Sequence, residues 1–578
     1  MSSEIRSIAI VGMGPVGIGL AAAAAGSGLT VSAVEFDTEV DRAARVALSA
    51  AVDDGGEAAV TFSASVDGVA GSALIVECVE ESTEAKVAVL AAIDKVAGEG
   101  SVIATTATAI PVADLALTTS DPGRVIGLHP AVPVATAGLL EIVRSPLSSE
   151  NAVAAGQSLA SALGKEGVVV GDTPGYIVSR LLFGYLNHAV SMVEQNYASR
   201  EDVDAAMRFG CGYPVGPLAY LDEVGLDTAY RILDGLHRAT GERLHAPAPV
   251  LKQMIAAGRL GKKSGRGFYT YASAGSDEVV PDESTAAASG EAGAGARPVD
   301  LVGVVGSGTM ASGIVEVFAK SGFDVIFVAR SEDKCDRVRA RIEKSFERSV
   351  GKGRMTAEAR DAALARINGV TDVAGLAQAD LVVEAVVEDM DVKVELFQRL
   401  DKTCKDGAVL ATTTSSLPVV EMAAATSRPA DVVGLHFFNP APIMKLVEIV
   451  VPITTDESVV ATAHDVCRRT KKVAVECGDR AGFIVNALLF PYLNDAVKMI
   501  EAGYASMDDI DAAVKSATGF PMGPFALLDV VGNDVSLAIE QTLVSEFRDP
   551  ALAPARTLEQ LVAAGYQGRK TGRGFRTY

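Results

Sequence analysis

His436 closes a short β-branched run, VVGLH, and is followed within twelve residues by Asn439 and Glu448 in FFNPAPIMKLVE. An imidazole at the C-terminal end of a strand in an α/β sheet faces the crevice where ligands bind. There it can take a proton as a general base. A carboxylate on its second ring nitrogen would fix the tautomer and stabilise the imidazolium. Glu448, set in the apolar run LVEIV, is the natural partner. Ser415, in ATTTSSLP at the end of the preceding strand, and Asn486, in GFIVNALL where a helical stretch opens, can hydrogen-bond substrate oxygens. The six cysteines (78, 211, 335, 404, 467 and 477) form no CxxC pair and no metal-ligand spacing with the six histidines, so no metal is expected and a reducing cytoplasm is.

A second set of residues is suited to phosphate. IAIVGMGPVGIGLA places Gly12, Gly14 and Gly17 between a strand and a helix, where glycines permit a tight turn and close approach of a pyrophosphate to the helix N-terminus. Glu35 follows eighteen residues after Gly17, where a carboxylate can take both ribose hydroxyls, so this loop leans to NAD. VVGSGTMASGI repeats the turn with Gly306 and Gly308, then Thr309 and Met310, with Ala311 in third place. Eighteen residues later stands Ala329, followed by Arg330, Ser331 and Lys334. The ribose-binding acid is missing there, and an arginine can pair with a 2'-phosphate, so this loop leans to NADP.

The two loops belong to a duplication. VECVEESTEAKV, starting at Val76, meets VEAVVEDMDVKV, starting at Val383, and the offset of 307 holds to GRGFYTY and GRGFRTY, which end at Tyr271 and Tyr578. Upstream the offset is 294, so the first copy is thirteen residues shorter between its second strand and Val76. The second copy fills that space with a charged helical stretch, Arg337 to Arg366. In each copy, short β-branched runs (SIAIVG, LTVSAVE, ALIVEC, SVIATT and RVIGLH in the first) alternate with alanine-rich helical stretches, which predicts a parallel sheet with crossover helices. The last hundred or so residues of each copy show helical periodicity alone. The expected domains are 1–173 and 299–479 (α/β, Rossmann-type), 174–271 and 480–578 (all-α), with a flexible linker at 272–298, small, polar and acidic.

At 578 residues the chain exceeds one hydrophobic core. With 49% apolar and 21% charged residues it has the balance of a globular protein. A net charge of −22 repels nucleic-acid phosphates and anionic lipid surfaces, so neither is an expected partner. Ser7 to Val34 has no charge, but its glycines and proline, and Glu316 and Lys320 in the equivalent stretch of the second copy, argue against a membrane span.

The motifs GSGTMASGI, VVEAVVEDMDVKVELF, TTTSSLP, GLHFFNPAPIMKLVEIV, DRAGFIVN and GRKTGRGF, in this order and spacing, resemble those of the L-3-hydroxyacyl-CoA dehydrogenase family, including its 3-hydroxybutyryl-CoA members. The likeness covers both copies nearly end to end. It implies a Rossmann domain plus an all-α domain of the 6-phosphogluconate-dehydrogenase-like type, the pair occurring twice, and interconversion of 3-hydroxyacyl-CoA and 3-oxoacyl-CoA with NAD or NADP. By this resemblance His436 is the base that takes the 3-hydroxyl proton and Glu448 its partner. Ser415 and Asn486 hold the reacting oxygens, Asn439 supports the site, and Glu388 and Lys393 lie near the cofactor. The family's CoA arm is a helical pair between the second and third strands, which Arg337 to Arg366 fits, with Lys344, Arg348 and Lys352 toward the substrate. The family's helical domain carries its dimer contact, so the two halves are expected to form an intrachain pseudo-dimer; further homo-oligomers are equally compatible.

The first copy keeps His129, Glu141, Glu81 and Lys86 but has Thr108, Val132, Gly138 and Ser179 where the second has Ser415, Asn439, Lys445 and Asn486. A site that loses polar partners binds and positions its substrate poorly. The first copy is therefore expected to be mainly structural. The rival readings are a dehydrogenase of free hydroxy acids, which lacks the CoA arm as the first copy does, and a nucleotide-binding scaffold without turnover.

Overall fold

The computed structural model describes residues 5–51, 60–132, 134, 137–283, 285 and 295–578. Each copy builds one eight-stranded sheet of order 3-2-1-4-5-6-7-8, counted within the copy. The central strands, such as Leu301–Val305, Leu381–Glu384 and Val409–Thr412, are buried β-branched and leucine-rich runs, as strands covered by helices on both faces must be. The strand order reverses beside the first strand, whose neighbours are Asp324–Val328 and Leu381–Glu384. That is the switch point of a doubly wound sheet, and the glycine turn lies there.

The sheet differs from the sequence expectation in two ways. Each copy adds three strands, Val60–Ser63, Leu139–Arg144 and Glu166–Gly171 in the first, and the seventh strand runs antiparallel to the sixth. The seventh strand was hard to read because a fully buried carboxylate, Glu141 or Glu448, interrupts its apolar run.

Between the second and third strands of the second copy stand two helices, Glu332–Gly351 and Ala357–Ala365. Cys335, Val338, Ile342 and Phe346 form a buried stripe at helical spacing against helix Thr309–Lys320. The first copy has helix Thr38–Ala51 in that interval; residues 52–59 lie outside the described ones.

The helical domains start with Val178–Glu194 and Val485–Glu501, which pack on each other. Tyr213 stacks on Phe520 with centroids 3.5 Å apart and planes 6° from parallel. Gly171 N–H donates to the Tyr504 carbonyl at 3.3 Å, and Gly478 N–H to the Tyr197 carbonyl at 3.2 Å, a reciprocal pair related by the 307-residue offset.

The described start of the expected linker is docked rather than loose. Thr270–Tyr271 pairs antiparallel with Val279–Val280, and Asp282 accepts from Arg200 Nη2 at 2.7 Å. An acidic residue there pairs with a buried guanidinium. Residues 284 and 286–294 lie outside the described ones. No helix among the described residues is long and apolar enough to cross a membrane, and Ser7 to Val34 folds as strand, helix, strand.

Candidate active site

The antiparallel pairing of Val432–Phe437 with Leu446–Val451 sets His436 directly opposite Glu448. His436 Nδ1 donates to Glu448 Oε2 at 2.6 Å. Glu448 Oε1 accepts the N–H groups of Ile484 at 3.0 Å and Val485 at 2.9 Å, where the first long helix of the helical domain begins. Three donors thus hold a fully buried carboxylate, which removes the cost of burying it unpaired. With Nδ1 so engaged, Nε2 is the nitrogen available to a substrate. Phe438 and Phe483 flank the ring, with centroids at 4.5 and 5.6 Å.

Ser415 sits three residues beyond its strand, which ends at Thr412. Its N–H and Oγ donate to Glu388 Oε1 at 2.9 and 3.3 Å, and Asn486 Nδ2 donates to the Ser415 carbonyl at 3.2 Å. Ser415, Asn486 and Glu388 are therefore brought together. Burial pushes the Glu388 carboxyl up, but the Lys393 charge and the hydrogen bonds from Thr414 and Ser415 outweigh it and hold it below the ordinary glutamate range. Asn439 is exposed on the turn beyond His436.

Lys393, expected near the cofactor together with Glu388, is 1% exposed. Its ammonium donates to both oxygens of Glu384 at 2.8 Å and lies 3.3 Å from Glu388 Oε2. It thus pairs with two carboxylates, one fully buried and one, Glu388, that also takes the Ser415 hydrogen bonds. Glu384, fully buried and also bound by Thr412 Oγ1 at 2.7 Å, was missed. The signal was present, since a glutamate at a strand end with a lysine nine residues on recurs as Glu77 and Lys86, bonded at 3.1 Å.

The dinucleotide turn fits a phosphate. A Cβ on Gly306 would meet the Ala385 carbonyl at 2.4 Å, whereas one on Gly308 would meet nothing within 4 Å, so the second glycine borders open space. Helix Thr309–Lys320 has no side-chain cap, which leaves first-turn amides, those of Thr309 and Met310 among them, for a ligand. In the first copy a Cβ at Gly17 would lie 2.0 Å from the Gly12 carbonyl oxygen, while the second copy accommodates Ala311 with a more open turn, φ 145° at Gly306 against 99° at Gly12.

A cavity of about 510 Å³ is lined by Gly306, Gly308, Arg330, Lys334 and Arg399. Ser331, exposed, adjoins Arg330. Arg399 was not foreseen, because it comes from a helix distant in sequence. The first copy has a cavity of about 790 Å³ that runs from Gly12, Gly14 and Glu35 to Glu81, Thr108 and His129. Glu35 accepts from the N–H groups of Met13, Phe36 and Asp37 at 2.8 to 3.0 Å. His129 Nδ1 donates to Glu141 at 2.7 Å, and Ser179 Oγ is 3.4 Å from His129 Nε2. Lys344, Arg348 and Lys352 are exposed on the arm.

Strands one, four, five and six of the second sheet are parallel, so the glycine turn and His436 share its C-terminal edge. A phosphate-accepting turn and an oriented imidazole beside hydroxyl and amide donors on that edge define a dinucleotide-dependent dehydrogenase. The 3-hydroxyacyl-CoA dehydrogenase NAD-binding domain matches residues 7–173 and 301–480, and that family's C-terminal domain matches 175–271 and 482–578. The chain belongs to the 3-hydroxyacyl-CoA dehydrogenase family, with both domains present twice.

It is 46% identical over 282 residues to a 3-hydroxybutyryl-CoA dehydrogenase of Mycobacterium tuberculosis, covering 48% of this chain and 99% of the relative. It is 41% identical over 288 residues to the mitochondrial hydroxyacyl-coenzyme A dehydrogenase of Sus scrofa, covering 48% of this chain and 91% of the relative. The crystal structure of a 3-hydroxybutyryl-CoA dehydrogenase from Escherichia coli K12 covers 97% of this chain and 100% of that one, with a TM-score of 0.65 and 21% identity, a likeness of fold.

Proposed function

We propose that the second copy interconverts 3-hydroxyacyl-CoA and 3-oxoacyl-CoA and that the first copy does not turn over these thioesters. The observation that carries this reading is the Glu448–His436 pair beside Ser415 and Asn486, a set complete in the second copy alone. His436 Nε2 takes the 3-hydroxyl proton, while Glu448 holds the ring and stabilises its charge. Ser415 and Asn486 orient the reacting oxygen, with Asn439 at the mouth. When bound, the nicotinamide dinucleotide supplies the hydride acceptor, and Gly306, Gly308, Thr309, Met310 and Ala311 are the residues to hold its pyrophosphate.

Arg330, Lys334 and Arg399 line the second cavity where the first has Glu35, which supports NADP in the second copy and NAD in the first. Lys344, Arg348 and Lys352 suit the CoA phosphates. The reciprocal bonds between Gly171 and Tyr504 and between Gly478 and Tyr197 support an intrachain pseudo-dimer. Six unpaired cysteines support a reducing, cytoplasmic setting.

The test is acetoacetyl-CoA with NADH or NADPH, followed by nicotinamide absorbance. Oxidation is expected, faster with NADPH, nearly unchanged in His129→Ala and reduced by about 10² to 10⁴ in His436→Ala. No oxidation with either cofactor, or a large loss in His129→Ala, would overturn the reading.

A further inference from the structure

The first copy's cavity differs from the second copy's site in ways that share a direction. Its chain is thirteen residues shorter where the second copy builds the arm that carries Lys344, Arg348 and Lys352. In exchange, helix Leu226–Thr240 brings Thr228, Arg231 and Ile232 into the cavity that also holds Glu35 and His129. The matching residues of the second copy are Val535, Ala538 and Ile539, so a hydroxyl and a cation stand where that copy has valine and alanine.

The helix reaches the reacting end. A Cβ on Gly235 would lie 3.2 Å from Ala109 Cβ, next to Thr108, and Arg231, one helical turn earlier, is on the same face. Asp227, whose carboxyl feels the Arg231 charge, is itself bound by Lys263 Nζ at 2.5 Å. Arg231 is the one lysine or arginine among the described lining residues, the charged remainder being Glu35, Asp37, Glu80 and Glu81. Among those lining groups Arg231 is the one that can attract an anion, and its planar fork suits a carboxylate.

We propose that the first copy is a second oxidoreductase site, whose substrate is a short hydroxy or oxo acid with a free carboxylate instead of a CoA thioester. Arg231 takes the carboxylate. In the oxidising direction the substrate O–H proton passes to His129 Nε2, which Ser179 Oγ approaches at 3.4 Å, while Glu141 holds Nδ1. The C–H hydrogen leaves with its electron pair for the nicotinamide of NAD, the carbon–oxygen bond becomes double, and the proton departs from His129 to water.

The experiment uses full-length His436→Ala, in which the site of the second copy is silenced. With NADH and either acetoacetate or 2-oxobutyrate, oxidation of NADH is expected with at least one acid and none with acetoacetyl-CoA; adding His129→Ala abolishes it. Arg231→Gln raises KM for the acid about tenfold to a hundredfold, the worth of one charged hydrogen-bonded contact, and Arg231→Lys restores part of it.

Binding gives a readout without turnover, because acetoacetate and 2-oxobutyrate cannot react with NAD. Calorimetric titration of either acid into NAD-saturated His436→Ala gives heat that Arg231→Gln removes. The pair Thr228→Val and Arg231→Ala, which copies the second copy's own residues, serves as the variant most compatible with folding. If neither acid is reduced nor bound, or if binding survives unweakened in both Arg231→Gln and the Thr228→Val, Arg231→Ala pair, the proposal falls. A wild-type enzyme inert toward acetoacetyl-CoA would sink the thioester activity proposed for the second copy and leave this one standing.

Discussion

Glu448 serves the histidine on one side and the entry to the helical domain on the other, so its charge can be tested apart from its shape. In Glu448→Gln the amide oxygen still accepts from Ile484 and Val485, but the amide NH₂ now faces His436 Nδ1 and demands an acceptor there. The ring proton moves to Nε2, and the base is lost. We expect kcat with acetoacetyl-CoA to fall by about 10² to 10⁴, KM to change little, and the circular dichroism spectrum to stay as it was. An unchanged kcat would mean that the carboxylate is only a packing group. Lys393 makes the contrary case, a cation whose loss is felt in stability first. Lys393→Met strands fully buried Glu384 without its counter-ion, and breaking such a pair costs about 3 to 5 kcal/mol, readable in urea unfolding. A loss below about 1 kcal/mol would show that Thr412 and the Val386 N–H suffice.

The arm of the second copy is an element whose charge and packing faces separate cleanly: Cys335, Val338, Ile342 and Phe346 are buried, while Lys344, Arg348 and Lys352 are exposed. Reversing Lys344 and Arg348 to Glu should raise KM for acetoacetyl-CoA about fivefold to fiftyfold at low salt, with less effect at high salt, and leave kcat nearly alone. The N-acetylcysteamine thioester, which lacks the CoA phosphates, should show no change; a matching loss with it would mean that the arm had been deformed. This element was legible in the sequence because its length difference and charge stand out against the 307-residue register. His436 and Glu448 were legible for a similar reason, since an acid inside LVEIV has to be explained. What escaped depends on contacts distant in sequence. The antiparallel seventh strand is disguised by that same acid. The bond from Lys393 to Glu384 links a helix to a strand end and shows only in the fold. Arg399 and Arg231 reach their cavities only once helices have packed, and Asp282 turns a stretch of acidic, small residues into a docked hairpin by finding Arg200.

At the scale of the whole molecule the two halves touch through some contacts that match at the 307-residue offset, and the contacts that do not match show where they have diverged. Gly138, which replaces the exposed Lys445, donates its N–H to the Ser516 carbonyl at 2.9 Å, and an added Cβ would lie 3.1 Å from that oxygen. Its lack of a side chain thus belongs to the contact between halves as much as to any loss at the site. Asp495 and Lys498, at the positions of His188 and Ser191, line a cavity between the halves together with Arg180, Glu242 and His245 of the first. Glu540, where the first copy has Leu233, is buried beneath them with neither carboxylate oxygen hydrogen-bonded. Burial pushes its carboxyl up to about 8; Lys498 pulls down and Asp495 pushes up. The unfolded chain releases this proton near the ordinary glutamate value of 4.5 while the folded chain keeps it until about pH 8. Stability from this group is therefore whole below about 4.5, declines as the pH rises from there to about 8, and is level above it. Glu540→Gln, neutral at every pH and of nearly the same shape, should melt with the wild type at pH 4 and progressively higher than it toward pH 8, by an amount on the order of a few kcal/mol. Thermal unfolding of both proteins across that range checks the sign. A variant advantage that shrank as the pH rose would mean that Glu540 is ionised and paired with Lys498 in the folded chain.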